Sequence, residues 1–233
     1  LEHDVRPGRR ARPPDAGEKG LDRHGGVDPQ QAEATVRRRG DGDLGPAPER
    51  PYHPTYFSGG CLLWDKWWDF GHGTIGGMGP HITDLGCWAL DLDMATTIEA
   101  DSDPKGGYPE SYPEWLTVRW EYPARGDRPP VTAFWYDGIK LPPSPPDMDL
   151  SKWGGLGMLF VGDKGQLLAN YGAHVLLPKK QFEGFRPPAP SIPSSIGHHQ
   201  EWIQGAKTGA PTPCNFDYGG KMTENLLAGV VSC

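Results

Sequence analysis

A chain of 233 residues has room for one core of ordinary size, and glycine (33) and proline (26), about a quarter of it, call for many turns and short elements. The net charge of −7 argues against a nucleic-acid partner, whose phosphates need a basic face. No run of about 18 apolar residues occurs, so no membrane-spanning helix is expected, and no apolar core follows Arg9 and Arg10 as a signal peptide requires.

The compartment stays unknown, with the cytoplasm as the default expectation. Cys61, Cys87, Cys214 and Cys233 form no C-x-x-C pair and read as ordinary thiols. Residues 1–43 differ from the rest. No Phe, Trp or Tyr occurs in residues 1–50, and ten basic residues there balance ten acidic ones. With no sustained period and little to bury, 1–43 is expected to be a solvated arm, or a stretch translated from a shifted frame. Residues 44–60, LGPAPERPYHPTYFSGG, are rich in proline and predict an extended linker or lid.

The stretch from Trp64 to Asp91, WDKWWDFGHGTIGGMGPHITDLGCWALD, passes from aromatic and acidic residues through a glycine-rich loop into a predicted helix. Pro80 suits the first helical position, where its missing N–H is not needed. Ile82, Leu85 and Ala89 mark an apolar face that Cys87, Trp88 and Leu90 widen, predicting a well-buried helix ended by Asp91 and Asp93.

The period then becomes that of strands. Candidates are Thr96 to Ala100, Trp115 to Tyr122, Val131 to Tyr136, Met158 to Val161, Gln166 to Leu168 and Val175 to Leu177. The second alternates cleanly, Leu116, Val118 and Trp120 against Thr117, Arg119 and Glu121. Two helices follow. His198 to Lys207 carries Trp202, Ile203 and Ala206 as a strip, and Lys221 to Val231 carries Met222, Leu226 and Val230. The chain stops with that last period running, which reads as a truncated end. A helix, a run of strands and terminal helices define an α+β fold: an open, mostly antiparallel sheet with helices packed on one face.

His81 is the main candidate for chemistry. Near a helix N-terminus the positive end of the dipole favours a neutral ring, as a proton acceptor needs. Asp84, three residues on, is positioned to orient it. The competing reading is structural, with His81 bonded to backbone. His72, His81 and Asp84, with Asp65 or Asp69, are ligand types, but H-x8-H-x2-D matches no established metal spacing, so no metal is expected. His198 and His199 are adjacent and point about 100° apart on a helix, so one is expected to face a cleft and the other solvent. Trp64, Trp67 and Trp68 suit either a core or a platform for sugar rings. The glycines form neither G-x-G-x-x-G after a strand nor G-x-x-x-x-G-K, so no nucleotide loop is expected.

The stretch WWDFGHGTIGGMGPHITDLGCWALDL resembles the corresponding region of the glucose–fructose oxidoreductase / inositol dehydrogenase (Gfo/Idh/MocA) family, in a bacterial subgroup with a distinctive C-terminal domain. LGPAPERPYHPTY, YPARGDRPPV, WYDG, LFVGDKG, GHHQEWI and NFDYGG resemble it too, so the resemblance covers residues 44–233. It implies an oxidoreductase C-terminal domain that serves substrate and oligomer contacts, beside a Rossmann domain holding NAD or NADP. By the resemblance His81 falls on the catalytic histidine and Asp84 on the acidic residue after it. Trp67, Trp68, His72 and His198 then line the cleft for a sugar or polyol, and the open sheet face serves a homo-oligomer. Two departures stand out. The family's aspartate four residues before the histidine is Gly77 here, and the Rossmann fingerprint and E-K-P motif are absent. The expectation is a substrate-side domain without its cofactor domain, inactive alone. The rival is a non-catalytic carbohydrate-binding or scaffold domain.

Overall fold

The computed structural model describes residues 64–104, 109–145 and 147–233, which all belong to one compact unit. The expectations for 1–43 and for the linker or lid at 44–60 lie outside the described residues, as does Cys61. The α+β class is observed, and the strands divide between two open three-stranded antiparallel sheets.

The first sheet joins β1 (Thr97–Ser102), β2 (Leu116–Tyr122) and β3 (Val131–Tyr136), with β2 central. Its alternation sets two faces. Leu116, Val118, Trp120 and Tyr122 are buried on one face, and across the register Val118 meets Trp135 and Trp120 meets Ala133. Arg119 lies on the other, paired with Glu99 at 3.1 Å and with Glu121.

Three helices cover the buried face. They are the short α1 (Gly73–Gly77), α2 (Gly79–Leu90) and α4 (Phe216–Val231), which give Ile75, Ile82 and Leu226 to the core. Close approach explains two glycines in these helices. A Cβ at Gly229 would stand 2.9 Å from a Val118 methyl, and one at Gly86 would stand 3.0 Å from the Met158 methyl. Buried Asn225 ties α4 down, because its Oδ1 accepts from Ala95 N (2.9 Å) and its backbone oxygen accepts from Trp120 Nε1 (2.9 Å).

The second sheet runs β4 (Met158–Gly162), β5 (Gly165–Ala169) and β6 (His174–Leu177). The predicted Gly162 to Gly165 turn joins the first two. The remaining helix, α3 (His198–Thr208), buries none of its residues. Trp202 in its predicted strip is 72% exposed.

Two expectations need correction. The inward face of α2 is Gly79, Ile82, Gly86 and Cys87, whereas Leu85, Trp88, Ala89 and Leu90 face solvent. The glycines turn inward because Leu226 and Met158 press against them, and a hydropathy pattern gives glycine no weight. Helix α4 opens at Phe216, not Lys221. Gly219 and Gly220 weaken its first turns, but Asn215 caps it by accepting from Tyr218 N at 3.0 Å.

Candidate functional site

His81 lies in the first turn of α2, which begins at Gly79 with Pro80 next. The packing of Ile82 and Gly79 into the core turns His81 outward, and it is exposed. The turn between β5 and β6 comes up beside it. Asn170 Oδ1 accepts from Gly172 N and Ala173 N (3.0 and 2.9 Å) and shapes this turn. Tyr171 at its tip donates its hydroxyl to the His81 carbonyl (3.3 Å), and the two rings meet edge to face with centroids 6.4 Å apart. Tyr171 is missing from the sequence reading; its only signal is an aromatic residue inside an Asn-x-Gly turn.

Asp84 does not orient His81 by a hydrogen bond. Its carboxylate accepts the Tyr218 hydroxyl at 2.6 Å, and Tyr218 comes from the start of α4. Partial burial, then the Asp84 hydrogen bond and charge, raise the Tyr218 phenol above its usual range. Behind Asp84 lies Cys87, whose thiol burial and the Asp84 charge push up to about 11.

The residues before α1 are anchored to the first sheet. Trp68 N donates to Glu110 O (2.9 Å), Tyr112 N donates to Lys66 O (2.6 Å), and Trp67 forms a bridge with Ser111. Tyr112 then reaches inward and donates its hydroxyl to Asp137 at 2.8 Å. Asp137 is buried and also accepts from Trp135 Nε1 (2.9 Å) and Leu116 N (2.6 Å). Burial, then the Asp137 charge and hydrogen bond, raise the Tyr112 phenol. Trp68 leans on the Tyr112 ring, with centroids 5.7 Å apart and planes tilted 59°. Trp67 is half-buried and Trp68 is 38% exposed, so the two do not share one open platform.

His72 is exposed at the N-terminal end of α1, without a capping hydrogen bond. His198 and His199 are both exposed, with ring centroids 4.0 Å apart, so the expectation that one faces a cleft is not met. Among the described residues no group of three His, Cys, Asp or Glu side chains is placed to hold a metal ion. Two surface depressions stand away from His81. One of about 740 Å³ runs along α4 past Phe216, Thr223 and Val231. The other, of about 310 Å³, lies among Cys87, Asp93, Arg125, Tyr218 and Lys221. The His81 region is an open surface by comparison.

The described strand pairs are all antiparallel. No βαβ unit exists among the described residues to cradle a pyrophosphate, so they do not fit a dinucleotide. No helix of the described residues is long and apolar enough to cross a membrane. No protein-family model and no curated protein matches this chain.

Proposed function

We propose that this chain is the substrate-side domain of an NAD(P)-dependent oxidoreductase acting on a hydroxyl or carbonyl of a sugar or polyol, with the nicotinamide held by another unit. The observation that carries the reading is the exposed His81 at the head of an apolar stripe on α2. Leu85, Trp88 and Ala89 follow it at the spacing of one helical face, all turned to solvent, with Trp88 56% exposed. A contiguous apolar surface beside a reactive polar group is suited to being covered by a second unit. On this reading the imidazole accepts the proton of a substrate hydroxyl. Asp84, held by Tyr218, braces the helix that carries it. The open face of the first sheet, with Phe134 and Tyr136 stacked beside the Arg119 ion pairs, serves contact with a second copy.

The test is saturation-transfer NMR on the full chain with myo-inositol and D-glucose. Transfer to one of these, weakened at least tenfold by His81→Ala, is the expected result. No transfer to either sinks the reading. Titration with NADH should give no micromolar binding, because no described element forms a dinucleotide loop.

A second reading is favoured by Trp68, whose half-open ring suits a sugar face. Binding that survives His81→Ala and is lost in Trp68→Ala marks a non-catalytic carbohydrate-binding domain.

A further inference from the structure

With Asp84 engaged by Tyr218, an acidic group for the His81 site has to come from elsewhere. Helix α1 shows where. Its last two residues, Gly76 and Gly77, are bare, and neighbours occupy the space their side chains would take. A Cβ at Gly76 would stand 2.7 Å from the Cβ of His72. One at Gly77 would stand 3.1 Å from Oδ2 of Asp65, the one described atom near that position outside its own helix. The projection of residue 77 is therefore filled by the Asp65 carboxylate.

This position is tied to His81. Met78 joins α1 to α2 in right-handed helical geometry (φ −101°, ψ −15°) and donates its N–H to Thr74 O at 2.7 Å. Gly77 and His81 so keep the i, i+4 relation, with β-positions about 5–6 Å apart on one face. The loop holds Asp65 in place from behind. Phe70 N and Gly71 N both donate to Trp67 O at 2.9 Å, and a Cβ at Gly71 would stand 2.6 Å from the Asp65 Cα. The Asp65 carboxyl is partly desolvated, which raises it above its usual range against the lowering charge of Lys66.

We propose that Asp65 is the acidic member of the His81 site, its carboxylate over Gly77 and the imidazole one turn on taking two neighbouring hydroxyls of one polyol. The proposal rests on the substrate reading above and narrows it. A carboxylate offers only acceptors, and a neutral imidazole accepts at one nitrogen. Two acceptors a few ångström apart match a vicinal diol, which brings a donor on each oxygen. They do not match a sugar acid or phosphate, whose charge the carboxylate repels.

The test uses the full chain, its Asp65→Asn variant and the double variant Asp65→Asn/Gly77→Asp. Binding of myo-inositol and D-glucose is measured by saturation-transfer NMR, and the histidine ring nitrogens are observed without ligand. Asp65→Asn should weaken binding at least tenfold and move the ring signals of His81 but not those of His198. The double variant should recover most of the binding, because its carboxylate projects from residue 77 itself; a purely structural role for Asp65 gives no such rescue. Unchanged binding in Asp65→Asn, or His81 signals that do not move, overturns the proposal. Moved signals in a chain that binds neither polyol support the Asp65–His81 pairing and overturn the substrate reading instead.

Discussion

The Tyr218 hydroxyl donates to the Asp84 carboxylate at 2.6 Å and so joins the start of α4 to the middle of α2. The two residues are 134 apart in sequence, and their bond fixes the helix that presents His81. It makes Asp84 a strut for the site. Tyr218→Phe removes the donor and leaves a partly buried carboxylate short of a partner. The expected loss is about 1–2 kcal/mol in unfolding free energy by urea titration. Asp84→Asn should cost less, because an amide oxygen still accepts from the phenol. Equal midpoints for wild type and Tyr218→Phe would show that the bond adds nothing.

Cys87 predicts how stability changes in alkali. Its thiol is buried, and burial with the nearby Asp84 charge raises it from 9.0 to about 11. Between those values the folded chain keeps a proton that the unfolded chain has lost. The stabilisation is therefore whole below pH 9 and is lost as the pH rises through 11. Two units correspond to about 2–3 kcal/mol. The raised phenols of Tyr112, Tyr122 and Tyr218 add slope at higher pH. Cys87→Ala should flatten the fall in stability between pH 9 and 11, read from urea midpoints at each pH. A slope unchanged by the substitution contradicts the assignment.

These relationships were unequally legible in the sequence. The alternation of Leu116, Val118 and Trp120 is visible because a strand with one buried face writes its period directly into hydropathy. The face of α2 was misread because glycines made room for Leu226 and Met158, and a missing side chain has no hydropathy signal. At the site, His81 was legible from its place after Pro80. Its surroundings were not: Tyr171 arrives from a hairpin turn, Tyr218 from α4, and the Asp65 oxygen from the loop before α1. Only the fold brings these together. Asp137 carried no sequence signal either, because a lone aspartate after a strand ordinarily reads as a turn residue.

That aspartate gives the third prediction. Asp137 accepts from a phenol, an indole and a backbone N–H within a site that is 7% exposed. Asp137→Ala leaves three buried donors unmet, and each lost partner costs about 1–3 kcal/mol. The total should be about 3 kcal/mol or more. Asp137→Asn retains one acceptor oxygen but turns an amino group toward a donor, so an intermediate loss is expected. Thermal unfolding followed by tryptophan fluorescence reads both, since Trp135 donates to this carboxylate. A loss below 1 kcal/mol for the alanine variant would contradict the arrangement.

Gly73 gives the last prediction, because it sits where the Tyr112 ring meets the start of α1. Its φ is +67°, a left-handed value, and a Cβ there would stand 2.2 Å from the Tyr112 ring. Both backbone and space therefore require glycine. Gly126 is the control, since its φ of +58° is also left-handed but no atom lies within 4 Å of its projected Cβ. Gly126→Ala should cost only the backbone penalty of about 1–2 kcal/mol. Gly73→Ala bears that penalty and an overpacking cost of about 1–3 kcal/mol more, because the ring is pinned by its bond to Asp137 and cannot withdraw. The clash should also push Trp68 away from Tyr112. Urea unfolding measures the difference between the two alanine variants, and indole NMR shifts report the Trp68 displacement. Equal destabilisation of the two, with Trp68 unmoved, would mean that the loop yields at Gly73 without disturbing its anchor on the sheet.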